Sequence, residues 1–167
     1  MITLSAVYAQ LVMKFTTAQT ITLILVVNIT AAIGAFVFGY VQDRLGHKKT
    51  LALTILLWII MGVMAAFSHG PVSFWIAANI AGIAMGSSQS AGRAVVAVFA
   101  PAGELAQFYS AWNVAVWGAN VLGPITYGTV TWLTSGDQRT AILVTTLFFV
   151  IGLLILRRVH LPSKTVC

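Results

Sequence analysis

The sequence predicts an all-α integral membrane protein, built as a single bundle of apolar helices. Of its 167 residues, 59% are hydrophobic and only 7% are charged, and the mean hydropathy is +0.96. A soluble domain carries charge on roughly a quarter of its residues. The few charges here separate long apolar stretches, each near the roughly 17–25 residues that cross a bilayer as a helix. Most of the surface must therefore face lipid.

Five apolar stretches are long enough to be full spans, at approximately 18–41, 50–67, 71–92, 106–134 and 139–157. Residues 1–13 look like part of a sixth, because as a helix they would reach only about 20 Å across a hydrocarbon core of about 30 Å. This segment lies partly in the interface, or the chain begins inside a helix that was once longer. Its apolar residues favour the second interpretation. We expect one domain over residues 1–167, with six helices and the first truncated.

The basic residues are shared unequally between the two ends of the predicted bundle. Two of the nine, Lys14 and Arg139, fall on one side. The other seven fall in the alternate loops and the tail: Arg44, Lys48, Lys49, Arg93, Arg157, Arg158 and Lys164. Cytoplasmic loops carry the excess of lysine and arginine, so the side with seven is predicted to be cytoplasmic.

Several function classes find no support in the residues. The formal net charge of +6 does not indicate a nucleic-acid partner, because the basic residues lie at span ends and not in a patch interleaved with aromatics. There is no nucleophile–base pairing, no metal-ligand cluster and no phosphate-binding glycine loop. The single cysteine, Cys167, excludes an internal disulfide. We expect no enzyme activity, no cofactor and no metal.

One short cytoplasmic loop has a specific pattern. Residues 39–49 read Gly-Tyr-Val-Gln-Asp-Arg-Leu-Gly-His-Lys-Lys. Gly39 permits close approach to another helix, Asp43 can accept from the free N–H groups of another helix's N-terminus, and Gly46 permits a tight reversal. The basic residues would hold the loop at anionic headgroups. We call this set the latch loop: Gly39, Asp43, Arg44, Gly46, Lys48 and Lys49.

The latch loop, placed between two strong spans, resembles the cytoplasmic loop motif of the major facilitator superfamily, G-x-x-x-D-R-x-G-x-K-K. That motif occurs between helices two and three and again between helices eight and nine. The alternative is a generic positive-inside loop, for which any basic residues would serve. His47 departs from the superfamily pattern, which usually has Arg or Lys there, and makes the charge of the loop depend on pH.

A second stretch resembles the vacuole-effluxer-like branch of that superfamily, whose pattern is approximately G-G-x-Q-x-x-S-R, then P, E-F-F-G and G-P. Residues 86–93 read Gly-Ser-Ser-Gln-Ser-Ala-Gly-Arg, and the later matches are Pro101, Glu104, Phe108, Gly123 and Pro124. The departures are Ser87, Gly92, Tyr109 and Ser110. The resemblance implies that the spans are helices seven to twelve of a twelve-helix transporter, without the half that holds helices one to six.

Polar residues inside two spans are the candidates for a solute pathway, because polar groups are expensive in a membrane. They are Asn79, Gln89, Ser90 and Arg93 in the fourth span and Asn113 and Asn120 in the fifth. On the fourth span the residues Asn79, Gly82, Gly86, Ser90 and Arg93 share one helical face. This face lines a cavity, or it packs on a neighbouring helix through its small residues. Packing is favoured for the two glycines, and both roles stay open for the polar residues.

The carboxylates Asp43, Glu104 and Asp137 all sit at predicted membrane edges. A proton-coupling carboxylate would therefore lie in the missing half, or coupling is absent. The resemblance implies alternating access, in which two six-helix halves rock about a midplane site. The implied partners are the lipid bilayer, a small-molecule solute such as an amino acid, and an N-terminal six-helix half or a second copy in a homodimer. We expect a multi-pass protein of the bacterial cytoplasmic membrane. The alternative is a non-transporting membrane interaction protein or the remnant of a truncated or split transporter gene.

Overall fold

The structure, a computed structural model, describes residues 14–68 and 70–159. Within these ranges all regular structure is helical, in five elements: α1 (Thr17–Leu45), α2 (His47–Ala66), α3 (Pro71–Phe99), α4 (Leu105–Leu133) and α5 (Gln138–Arg158). The all-α prediction is confirmed, while the partial helix predicted at residues 1–13 lies outside the described residues. By length and composition, α1, α2 and α5 can each cross a membrane. Helices α3 and α4, each as long as α1, carry more polar and small residues.

Local sequence accounts for where the helices begin. The Thr16 hydroxyl accepts from the backbone N–H of Gln19 at 3.3 Å, and the Gln19 amide oxygen accepts from the backbone N–H of Thr16 at 2.9 Å. This reciprocal capping satisfies two N–H groups that the first turn of α1 leaves free. Pro71 occupies the first turn of α3, as expected from its fixed φ. Asp137 caps α5 by accepting from the backbone N–H of Arg139.

Two helices run beyond the predicted spans at the end of the bundle that is predicted to be cytoplasmic. Helix α1 ends at Leu45 and not near residue 41, and α3 ends at Phe99 and not near residue 92. The predicted loop between the second and third spans is reduced to Gly46, since α2 begins at His47. The reason is physical: charged residues mark the edge of the hydrocarbon, but a helix satisfies its own backbone hydrogen bonds on either side of that edge.

Helix α3 lies at the centre, with α1 and α2 packed on it; α5 packs on α2, and α4 contacts α5 and, less extensively, α3. The α1–α3 contact is close because glycines line it. A β-carbon on Gly86 would lie 2.6 Å from the carbonyl carbon of Ala31, and one on Gly82 would lie 2.6 Å from the Val27 oxygen. Such distances leave no room for a side chain, so the packing interpretation of Gly82 and Gly86 is confirmed.

Trp58 joins three helices on the other side of the bundle. Its buried indole stacks on Phe149 of α5, with the ring centroids 5.1 Å apart, and its Nε1 donates to the Ser88 hydroxyl of α3 at 2.9 Å. The polar end of the indole is thereby satisfied within the bundle. One side chain of α2 fixes the positions of α3 and α5.

Candidate functional site

The turn of the latch loop is fixed by Gly46. Its φ of +81° is favourable for glycine and strained for other residues. Its N–H donates to the Gln42 carbonyl at 2.9 Å, and its own carbonyl accepts from the Thr50 hydroxyl at 3.0 Å. These bonds hold the end of α1 and the start of α2 in one arrangement, as the sequence predicted for a tight reversal.

Lys48 has a different position from the one expected. Its Nζ donates to the backbone carbonyls of Arg157 at 3.0 Å and Val159 at 2.6 Å. The last carbonyls of a helix lack partners within the helix, and a cation is favoured at that end. Lys48 therefore caps α5 instead of reaching lipid headgroups, whereas Lys49 is exposed.

The remaining members of the latch loop lie on the last two turns of α1. Asp43 is exposed, and no group in the described part of the chain bonds to its carboxylate. Arg44 donates to the Tyr40 hydroxyl, and its guanidinium carbon lies 4.6 Å from the centre of that ring. A β-carbon on Gly39 would meet the Ser90 hydroxyl at an ordinary 3.9 Å. The close helix approach expected at Gly39 occurs instead further back along α1.

Sequence reasoning passed over Gln42, which lies within the loop pattern. Its side chain is only 4% exposed. Its Nε2 donates to the Ala91 carbonyl of α3 at 3.4 Å and lies 2.6 Å from Nδ1 of His47. The sequence feature that could have indicated its role is a neutral amide side chain directly before the charged residues Asp43 and Arg44. Gln42 links α1, α2 and α3 at one point.

The polar face predicted along α3 is divided by the fold. Its glycines are buried against α1, Ser90 is half-buried near Gly39, and the amide of Asn79 donates to the Trp75 carbonyl of its own helix at 2.8 Å. Of the two roles left open for this face, its middle has the packing role, because α1 covers Gly82 and Gly86. Gln89 and Arg93 are exposed.

Helix α4 exposes most of its length. Asn113 and Asn120 are exposed with Trp117, whose side chain is 72% exposed, and no described residue bonds to either amide. Towards its start, the Tyr109 hydroxyl donates to the Arg93 carbonyl at 3.1 Å. Towards its end, the Tyr127 hydroxyl donates to Gln138 of α5. The amides thus lie on an exposed part of a helix that is anchored near both ends.

At the end of the bundle opposite the latch loop, polar groups join α2 to α5. Arg139 donates to the Ser68 carbonyl at 3.1 Å, which joins the start of α5 to the end of α2. The Thr140 hydroxyl and the backbone N–H groups of Arg139 and Thr140 hold the pKa of Asp137 below its usual range. Asp137 is therefore a carboxylate at neutral pH. All three carboxylates lie at helix ends, which leaves the interiors of the described helices without an acidic group.

The comparisons with known proteins agree on the family. Residues 1–166 match the profile of the family described as "Vacuole effluxer Atg22 like". The chain belongs to this family. The Atg22-like chain is also 28% identical over 143 residues to the "Uncharacterized MFS-type transporter YxiO" of Bacillus subtilis, which covers 86% of this chain and 33% of that protein. It is 33% identical over 133 residues to a "Putative metabolite transport protein" of Haemophilus influenzae, over 77% of this chain and 32% of that protein.

The solved structures show the same fold. The inward open conformation of the xylose transporter XylE from E. coli superposes with a TM-score of 0.82, over 98% of the Atg22-like chain and 44% of XylE. XylE bound to 6-bromo-6-deoxy-D-glucose superposes with a TM-score of 0.80, over 96% and 40%. Both are 19% identical to this chain. The resemblance to the major facilitator superfamily and to its vacuole-effluxer branch is confirmed, and the chain spans about a third of the curated relatives it matches.

Proposed function

We propose that this chain is the C-terminal half of a secondary transporter, which moves small solutes by alternating access together with an N-terminal six-helix half. The exposed amides of α4 carry the proposal. Asn113 and Asn120 have no partner among the described residues, and an unsatisfied polar group in hydrocarbon costs several kcal/mol. A second half would supply the polar cavity that these amides need. The short share of each relative that the chain covers supports the same assignment.

The solute class proposed is small and polar, with amino acids first. Resemblance to the vacuole effluxers supports this choice, and amides that donate and accept hydrogen bonds suit a solute carrying both kinds of group. The candidate pathway residues exposed on α3 and α4 are Gln89, Arg93, Asn113 and Asn120, and the half-buried Asn79 and Ser90 are further candidates.

Both curated relatives are bacterial, which supports the cytoplasmic membrane of a bacterium. The matched relatives are named as transporters, which favours transport over catalysis and over a non-transporting role.

Orientation is tested with two single cysteines in a Cys167→Ser background. Ala102, between α3 and α4, and Ser135, between α4 and α5, are both exposed. From the excess of basic residues at one end, we expect a membrane-impermeant maleimide to label Ser135→Cys in intact cells, and Ala102→Cys only after permeabilisation. The opposite pattern would reverse the assigned topology.

The Asp43–Arg44 part of the latch loop is proposed to hold one conformation of the two-half transporter. Asp43→Asn tests this role, because it removes the charge and keeps the size. In the family this chain resembles, the corresponding aspartate docks on a helix of the other half, so the effect should require that half. Loss of a hydrogen bond to a charged group costs about 1.5–3 kcal/mol. We expect initial uptake by the two-half assembly to fall about tenfold or more, with membrane insertion unchanged.

The matched control for this variant is Glu104→Gln, the same change of carboxylate to amide at an exposed position just before α4. Its uptake rate should stay near that of the unmodified chain. Uptake by Asp43→Asn equal to that of the control would remove Asp43 from the mechanism.

A further inference from the structure

The amide of Gln42 has only one consistent orientation. The Ala91 carbonyl, 3.4 Å away, can only accept, so the group that faces it must be the NH2 of the amide. The same nitrogen lies 2.6 Å from Nδ1 of His47. The second amide hydrogen therefore points to a ring nitrogen that accepts, which requires a neutral imidazole with no proton on Nδ1.

Ala91 belongs to a short segment of α3 that is tied to two other helices. The ring of Trp112 lies over Gly92, where a β-carbon would come within 2.7 Å of its Cζ2 atom. The Arg93 carbonyl accepts from the Tyr109 hydroxyl. Residues 91–93 of α3 thus contact α1 through Gln42 and contact α4 through two aromatic side chains. The latch loop and the amide-bearing helix α4 meet at the same turn of α3.

We propose that Gln42 is the positioning residue of the latch loop, and that protonation of His47 releases it from α3. A proton on Nδ1 would set two donors against each other across the short Gln42–His47 contact. Turning the amide to accept from His47 would set its oxygen against the Ala91 oxygen. The first arrangement keeps the Ala91 bond but leaves the Gln42–His47 contact repulsive at 2.6 Å, and the second breaks the bond between α1 and α3. The repulsion is relieved by the second arrangement or by withdrawal of the Gln42 side chain, and either change releases α1 from α3. Imidazole changes charge between about pH 5 and 8, so the end of α1 is tied to α3 at high pH and released at low pH.

No neighbouring charged side chain in the described part of the chain forms a hydrogen bond or ion pair with the His47 imidazole, so the proposed switch does not depend on one. Asp43 and Arg44 precede it on α1, Lys48 and Lys49 follow it on α2, Arg93 lies near Ala91 on α3, and Arg157 lies at the end of α5 near Lys48. Among the described residues, none of these side chains bonds to the imidazole. A lysine or arginine at this position cannot accept a hydrogen bond from Gln42. The switch therefore depends on the one residue at which the loop departs from the superfamily pattern.

Hydrogen exchange on the purified chain in mild detergent tests the switch without any measurement of uptake. Only its consequence for transport rests on the proposed function, so failure of the transporter assignment leaves this test intact. Exchange is followed in peptides covering residues 39–45 and 91–97 at about pH 8 and about pH 5.5, each corrected for the intrinsic rate. We expect about three- to tenfold faster corrected exchange at the lower pH, the ratio that loss of one hydrogen bond produces.

Three variants separate the switch from a general effect of pH. His47→Asn places an acceptor near the position of Nδ1 and should retain protection at both pH values. His47→Lys and Gln42→Leu should exchange fast at both. A pH response that persists in His47→Asn, or no response in the unmodified chain, would overturn the proposal. Because His47→Asn keeps the bond, a folding defect in the other two variants does not obscure the outcome.

Discussion

Gly86→Ala should disrupt the α1–α3 contact, although alanine is the better helix former. A β-carbon at Gly86 would lie 2.6 Å from the Ala31 carbonyl carbon and 3.0 Å from its α-carbon, and closer still to the carbonyl oxygen. These are backbone atoms, so no change of rotamer relieves the overlap, and the two helices must separate. Overpacking costs about 1–3 kcal/mol and occasionally more. We expect about 3 kcal/mol, because the seam includes Gly34 and Gly82 and would open along its length.

The control is Gly118→Ala on α4, where a β-carbon meets nothing within 4 Å. Helix propensity alone favours alanine over glycine by about 0.8–1.0 kcal/mol. In mild detergent, Gly86→Ala should therefore lower the thermal unfolding midpoint, whereas Gly118→Ala should raise it slightly. Equal shifts at the two positions would contradict the packing of α1 on α3.

The sequence predicted those features of the fold that depend on local composition. Apolar length predicted the five helices that the structure describes, of which α1, α2 and α5 are long and apolar enough to cross a membrane. Glycine spacing predicted the α1–α3 seam, because a helix with glycines at residues 82 and 86 allows close approach. The extents of the helices were missed at α1 and α3. Hydropathy reports the edge of the hydrocarbon, whereas the helical backbone continues past it until Gly46 or Pro101 interrupts it.

The site was predicted less completely, since its contacts join segments that are distant in the chain. Nothing local to Lys48 shows that its ammonium group caps α5, more than a hundred residues later. The role of Gln42 depends likewise on Ala91 and His47 meeting at one point. Which side of α3 stays exposed also depends on the placement of α1. Asn113 and Asn120 are exposed because α4 is packed mainly near its ends, so both remain candidates for the solute pathway.

The largest effect expected is on transport itself: the chain alone should move no solute. Alternating access requires two surfaces that move against each other around a shared site, and this bundle supplies one. Its α4 face combines the two exposed amides with large apolar residues such as Val114 and Trp117. The apolar residues suit lipid, but the amides do not. Pairing with an N-terminal half is the first expectation, and self-association is the second.

The most direct test is the mass and the uptake of the purified chain, alone and co-expressed with the N-terminal six helices of an Atg22-like relative. The molecular mass of each preparation is measured in mild detergent. Each preparation is then reconstituted in liposomes, and its uptake of a radiolabelled amino-acid mixture is measured. The half-transporter assignment predicts no uptake above empty liposomes for the chain alone, and uptake with a one-to-one complex when both halves are present. A stable monomer that moves solute by itself would contradict it.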